Sequence, residues 1–179
     1  MHDYLGFGAR EVMVDGDTEV GAWMSVNALG HELAVMKDAM GAKARLHHLA
    51  FYFGFPQHNF DFMEVCREQG IEMELGPGVH GATQGHYFYV FEPGGNRIEL
   101  FGHPGILELE PDFETRVWTV DAFMNKGGVS ISAPLFPEEF MIFGTPVVRE
   151  DGVTEHRVPA GAVGSVESNR AWLDQPGGR

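Results

Sequence analysis

The chain has 179 residues, 44 % apolar and 21 % charged, which supplies a core for one ordinary domain or two small ones and excludes disorder along its whole length. Twelve Lys and Arg against 26 Asp and Glu give a formal charge of −14, a field that repels phosphate backbones and anionic lipid surfaces and so argues against nucleic-acid or membrane partners. The single cysteine, Cys66, excludes an internal disulfide framework and a Cys-rich zinc site; with no apolar run long enough to span a bilayer and no leader-like N-terminus, it predicts a cytoplasmic protein.

Residues 10–15 alternate in polarity, Gly16-Asp17 signals a turn, and 20–26 read as a second strand, so this stretch predicts a hairpin. The run His31–Val35 predicts a third strand, and 38–45 a polar connection. Residues 46–53 are β-formers almost throughout. Apolar positions at 60, 62, 63, 65 and 66 have helical spacing and predict a helix over 58–69, with Gly70 as its C-cap. Ile71–Leu75 predicts a short strand before a loop over 76–81. Residues 86–91 and 96–101 predict two more strands joined by the turn Glu92-Pro93-Gly94-Gly95.

The order over 46–101 is therefore strand, helix, three strands, and 10–36 matches the last three strands of a second such unit. This predicts an α+β fold of paired βαβββ units, the first partial (1–37), the second complete (46–101), with a C-terminal extension (102–149). Residues 1–149 are expected to form one catalytic domain and 150–179 a flexible or loosely docked tail.

Chemistry is concentrated in a few positions. His48 lies in the opening strand of the complete unit and Glu99 in its last strand. If those strands are neighbours, period-two alternation puts both side chains on one concave face, where an imidazole and a carboxylate are two donors of a facial triad. A carboxylate between Ile98 and Leu100 is costly to bury alone, so a cation or a base partner is expected, Arg97 being one candidate base. Packing alone remains open for His48 on this reading. His47 is expected on the opposite side of its strand. His58, His86, His103 and His156 form no constellation and are expected at the surface. Cys66 reads as a small buried apolar residue, and Glu108, Glu110, Asp112 and Glu114 as a solvated face.

In order, Leu46-His47-His48-Leu49-Ala50-Phe51, Gly76-Pro77-Gly78-Val79-His80-Gly81 and the run Tyr87 to Phe101 with its Pro-Gly turn, Asn96-Arg97 and Glu99 resemble the catalytic half of extradiol ring-cleaving dioxygenases, the catechol 2,3-dioxygenase family of the vicinal oxygen chelate superfamily. Gly30-His31-Glu32-Leu33-Ala34 is similar to a further segment of that family. The resemblance implies that His48 and Glu99 ligate Fe(II), with Mn(II) as an alternative metal. It implies that His31 stands beside the dioxygen position and that His80 and Tyr89 hydrogen-bond a bound catecholate. The implied reaction inserts both atoms of O2 next to the two hydroxyls of an aromatic diol, giving a muconate semialdehyde. A homo-oligomer is implied as well.

The resemblance puts the family's first His ligand on the opening strand of the preceding unit, ahead of Met1, and the third donor is expected from elsewhere, such as a partner chain. His2 falls where the family has a helix and is not assigned as a ligand, and Val79 stands where many relatives carry an arginine. The alternatives are a non-redox ligand-binding module of the same fold, resembling bleomycin-resistance proteins, and a glyoxalase-type metal-dependent isomerase or lyase.

Overall fold

The structure is a computed structural model that describes residues 2–38, 46–93, 95–110, 112–131, 136 and 140–141. The tail expected over 150–179, and all but the first residue of the connection expected over 38–45, lie outside the described residues.

After a short helix α1 (His2–Leu5), strands β1 (Gly8–Asp15) and β2 (Thr18–Ser25) form the expected hairpin, turning at Gly16 with φ 58°. Strand β3 (Leu33–Met36) pairs antiparallel with β2. It starts later than the apolar run suggested, and Glu32 explains why. The Val26 amide and Ser25 hydroxyl donate to its Oε2 at 2.9 and 3.0 Å, and the Asn27 side-chain amide donates to its Oε1 at 2.7 Å. That tie holds 26–32 as a loop, so His31 sits before β3 rather than in it.

The complete unit follows as β4 (Leu49–Tyr52), α2 (Pro56–Gln69), β5 (Met73–Val79), β6 (His86–Phe91) and β7 (Arg97–Phe101). Its sheet has the order β4-β7-β6-β5, with β4 and β7 parallel and the other pairs antiparallel. The parallel pair needs a long crossover, and α2 with the β5–β6 hairpin provides it. Helix α2 takes in Pro56, which the sequence reading left outside. Proline at the first helical position lacks an N–H that would have had no partner there, and the Phe55 N–H donates to His58 Nδ1 at 3.1 Å. Gly70 ends the helix at φ 67°, as expected of a C-cap. Strand β5 runs through part of the expected loop because register shifts on either side of Leu75 absorb the irregular stretch containing Pro77, which has no N–H for the ladder.

Two elements were not anticipated. Strand β8 (Arg116–Thr119) pairs parallel with β1, completing the sheet β3-β2-β1-β8, and α3 (Val120–Asn125) follows with the Thr119 hydroxyl accepting from the Ala122 N–H.

Side chains divide by strand alternation. Tyr87, Tyr89, Met13, Val20, Trp23, Phe123, Phe136 and Phe140 share one core that joins residues of both sheets. Phe88, Val90 and Leu100 face the other way and pack with Cys66 and Phe62 of α2. Burial raises the Cys66 thiol above its usual range, which fits an unreactive apolar role.

Buried Glu11 of β1 fastens three parts of the chain together. Its Oε1 accepts the Thr83 N–H at 2.7 Å, its Oε2 accepts the indole N–H of Trp118, and Arg116 NH1 lies 3.8 Å away. Thr83 and Gln84, both at φ 57°, hold a left-handed conformation unusual for side chains of their kind, in the loop that begins at His80. Glu11→Gln turns one acceptor into a donor facing an N–H. It is expected to lower the unfolding free energy by about 2 kcal/mol in urea titration; an unchanged midpoint would show that the loop is held without it.

A candidate metal and substrate site

Four of the five expected site residues are positioned by β4, β6, β7 and the loop after β5; the fifth, His31, lies at the loop end before β3. Ala50 of β4 and Tyr89 of β6 are the two register partners of Glu99. His48 immediately precedes β4, two residues before Ala50, and its side chain comes up to Glu99. His80 immediately follows β5. Its loop returns tightly: a Cβ on Gly81 would stand 1.8 Å from the Gly127 carbonyl oxygen, and one on Gly105 would stand 2.0 Å from that of Thr83. Only glycine permits those approaches.

The side chains meet. His48 Nε2 lies 3.1 Å from Glu99 Oε2, and His80 Nε2 lies 3.6 Å from Glu99 Oε1 and 3.1 Å from the Tyr89 hydroxyl. The His48 and Tyr89 rings stand edge to face at 5.4 Å. His80 Nδ1 lies 2.7 Å from the Val129 carbonyl, which fixes the ring's orientation. Arg97, the base expected beside Glu99, is paired elsewhere. It is bound to Glu74, so the base partners of Glu99 are the two histidines.

The electrostatics follow from burial and these neighbours. Burial raises the Glu99 carboxyl, but hydrogen bonds and charge from His48 and His80 outweigh it and hold the group well below the usual carboxylate range. Glu99 is an anion at neutral pH. Burial lowers the His31 imidazole to about 4, opposed by the charge of Glu99 and assisted by His80 and His48. At neutral pH His31 is therefore an uncharged base facing the same charges. Burial, then the charge and hydrogen bond of Glu99, push the Tyr89 hydroxyl well above its usual range, so it keeps its proton and can donate it in a hydrogen bond.

Two ligands bound side by side to one ion at about 2.1 Å place their donor atoms about 3 Å apart. The His48 and Glu99 atoms meet that spacing. An imidazole nitrogen and a carboxylate oxygen, without thiolate, suit Fe(II) or Mn(II). Among the described residues no group of three or more His, Cys, Asp or Glu side chains could hold a metal ion, so these residues supply two donors of a set. His2, in α1, was not expected to be a third.

His47 corrects an expectation. It does not point away from His48: the two Nδ1 atoms are 2.6 Å apart. Both residues precede β4, so strand alternation does not separate them. Glu108 also departs from the solvated face expected of it, since it is half-buried and paired with Arg116.

The fold is thus one of paired strand units in two four-stranded sheets, with imidazoles, a carboxylate and a phenol gathered beside β4, β6 and β7. The Glyoxalase/Bleomycin resistance protein/Dioxygenase superfamily matches residues 1–100, and the chain belongs to that family. It is 38 % identical over 153 residues to the metapyrocatechase of Geobacillus stearothermophilus, covering 86 % of this chain and 46 % of that protein. It is 39 % identical over 121 residues to a manganese-dependent 2,3-dihydroxybiphenyl 1,2-dioxygenase of Geobacillus genomosp. 3, covering 66 % of this chain and 38 % of that one. The crystal structure of homoprotocatechuate 2,3-dioxygenase from Arthrobacter globiformis superimposes with a TM-score of 0.66 at 27 % identity, covering 86 % of this chain and 47 % of the other. The chain thus spans less than half the length of these relatives.

Proposed function

We propose that this chain carries the ring-cleaving site of an extradiol dioxygenase: His48 and Glu99 hold a divalent metal, Fe(II) or Mn(II), and the substrate is a catechol-type diol. The observation that carries the reading is the meeting of His48, His80 and Tyr89 around the ionised Glu99. The similarity to metapyrocatechase supports it and does not favour the alternatives of a non-redox binding module or an isomerase. The catalytic unit is assigned to residues 1–149.

When bound, the cation lowers the pKa of the diol hydroxyls and brings the diol and O2 together, so that both oxygen atoms enter the product. The chain's own groups do the rest. His31, uncharged at neutral pH, accepts a proton and returns it as the ring opens. Tyr89 donates a hydrogen bond to the developing negative charge on a ring oxygen, and His80 orients the Tyr89 hydroxyl and the substrate beside it. The aromatic wall formed by Tyr87, Phe136 and Phe140 keeps water away.

No helix among the described residues is long and apolar enough to cross a membrane, and a cytoplasmic location is part of the proposal. So is a homo-oligomer: β3 and β4 each form one edge of their sheet, and Val35, Leu49, Phe51 and Tyr52 on them are exposed.

The test is turnover. The protein is loaded with Fe(II) or Mn(II) without air, then given catechol under air while absorbance is followed for a yellow semialdehyde. Yellow product is the expected result. A metal-loaded chain that leaves catechol intact would overturn the reading.

A further inference from the structure

His47 touches the candidate metal site but has no part in the function proposed above. Resting on the metal reading of that section, we propose that His47 is a positioning residue that fixes the proton of His48 on Nδ1 and so reserves His48 Nε2 for the cation.

The argument is one of donors and acceptors. His47 Nε2 lies 2.6 Å from the carbonyl oxygen of Phe140. A carbonyl only accepts, so this nitrogen carries a hydrogen, and in a neutral ring Nδ1 is then the acceptor. The atom facing His47 Nδ1 is His48 Nδ1, at 2.6 Å. His48 must therefore donate through Nδ1, which leaves Nε2 to face Glu99 Oε2. Any hydrogen that His48 Nε2 shares with Glu99 is the one a cation displaces. A partner on the second ring nitrogen is what sets the tautomer and orientation of a metal-bound histidine.

A competing arrangement starts from Arg97, whose NH1 lies 3.0 Å from the same His47 Nε2. A guanidinium only donates, so that bond would strip Nε2 of its hydrogen and reverse the chain, leaving His48 with its proton on Nε2. The distances decide against it. The carbonyl is the closer partner, and a bare Nε2 would set two lone pairs against each other at 2.6 Å. Arg97 already has other acceptors: both Glu74 oxygens for Nε and NH2, and the His47 carbonyl at 3.4 Å for NH1. The His47 ring is held in place by the edge-to-face contact with Phe140, centroids 4.8 Å apart.

Long-range nitrogen-15 spectra of the metal-free, histidine-labelled protein at neutral pH test the assignment directly. His48 is expected to be protonated on Nδ1; a neutral His48 ring protonated on Nε2 alone overturns the proposal. His47→Phe keeps the ring but removes the acceptor, and it is expected to weaken Mn(II) binding about 10–100-fold in calorimetry, with an unchanged circular-dichroism spectrum. His47→Asn places an amide oxygen near the lost nitrogen and is expected to recover most of that affinity. Wild-type affinity in His47→Phe overturns the proposal. A wild-type chain that takes up no Mn(II) overturns the metal reading instead, and the nitrogen spectrum then decides the His48 tautomer by itself.

Discussion

Glu99→Gln and His48→Ala are each expected to cost more than about 100-fold in affinity for Fe(II) or Mn(II) while leaving the fold near native. Changes to residues that merely support a ligand already cost about 10–100-fold, and removal of a donor costs more. The two donors lie 3.1 Å apart and are the pair that the described residues supply, so either loss leaves a single one. Glutamine keeps the shape of residue 99 but replaces a buried anion with a neutral amide, which removes the charge that the cation would neutralise. Metal uptake is read by calorimetry and, independently, by thermal unfolding. A ligand at a hundred times its Kd stabilises the folded state by about 2.7 kcal/mol, so the wild-type melting temperature should rise with added metal and that of the variants should not. If either variant bound metal as tightly as wild type, the two residues would not be ligands, whatever else they do.

How far the sequence carries this site differs from residue to residue. The side of Glu99 was legible because strand alternation is a local rule: Ile98 and Leu100 face α2, so Glu99 faces the opposite side of β7, whereas His48 lies just before β4, where that rule lapses, and was legible from its motif. Helix α2 was legible from its apolar spacing and from Gly70. Strand β8 was not. Its four residues carry too little pattern to identify, and what makes them a strand is a parallel partner, β1, about a hundred positions earlier in the chain. The same distance hid Glu11, whose Trp118 and Thr83 partners come from separate segments. His47 was misplaced because alternation was carried past the end of β4, into residues where the backbone is no longer extended in a ladder. Arg97 was the subtler case. The sequence offered it as a partner of Glu99, two residues away on the same face. The structure gives it Glu74 instead, because β5 brings a second carboxylate to the fork end of the guanidinium.

That pairing leads to the largest stability effect expected in the chain. Arg97 is fully buried, its Nε and NH2 bind the two oxygens of Glu74 at 2.5 and 2.6 Å, and its guanidinium lies over the Phe140 ring at 4.7 Å. A two-pronged pair of this kind takes most of its strength from matched geometry in a poorly solvated site. Arg97→Met preserves much of the apolar stem but leaves the Glu74 carboxylate without its cation in a place where water reaches it poorly. Breaking a buried pair from one side costs about 3–5 kcal/mol, chiefly because the surviving charge is stranded. The variant is therefore expected to lose that amount of unfolding free energy in urea, with little change in slope. The double variant Arg97→Met with Glu74→Leu removes both charges and should recover a large part of the loss, since two apolar side chains of similar size are often tolerated in place of an ion pair. If Arg97→Met cost less than about 1 kcal/mol, the pair would behave as a solvated surface bridge, contrary to its burial.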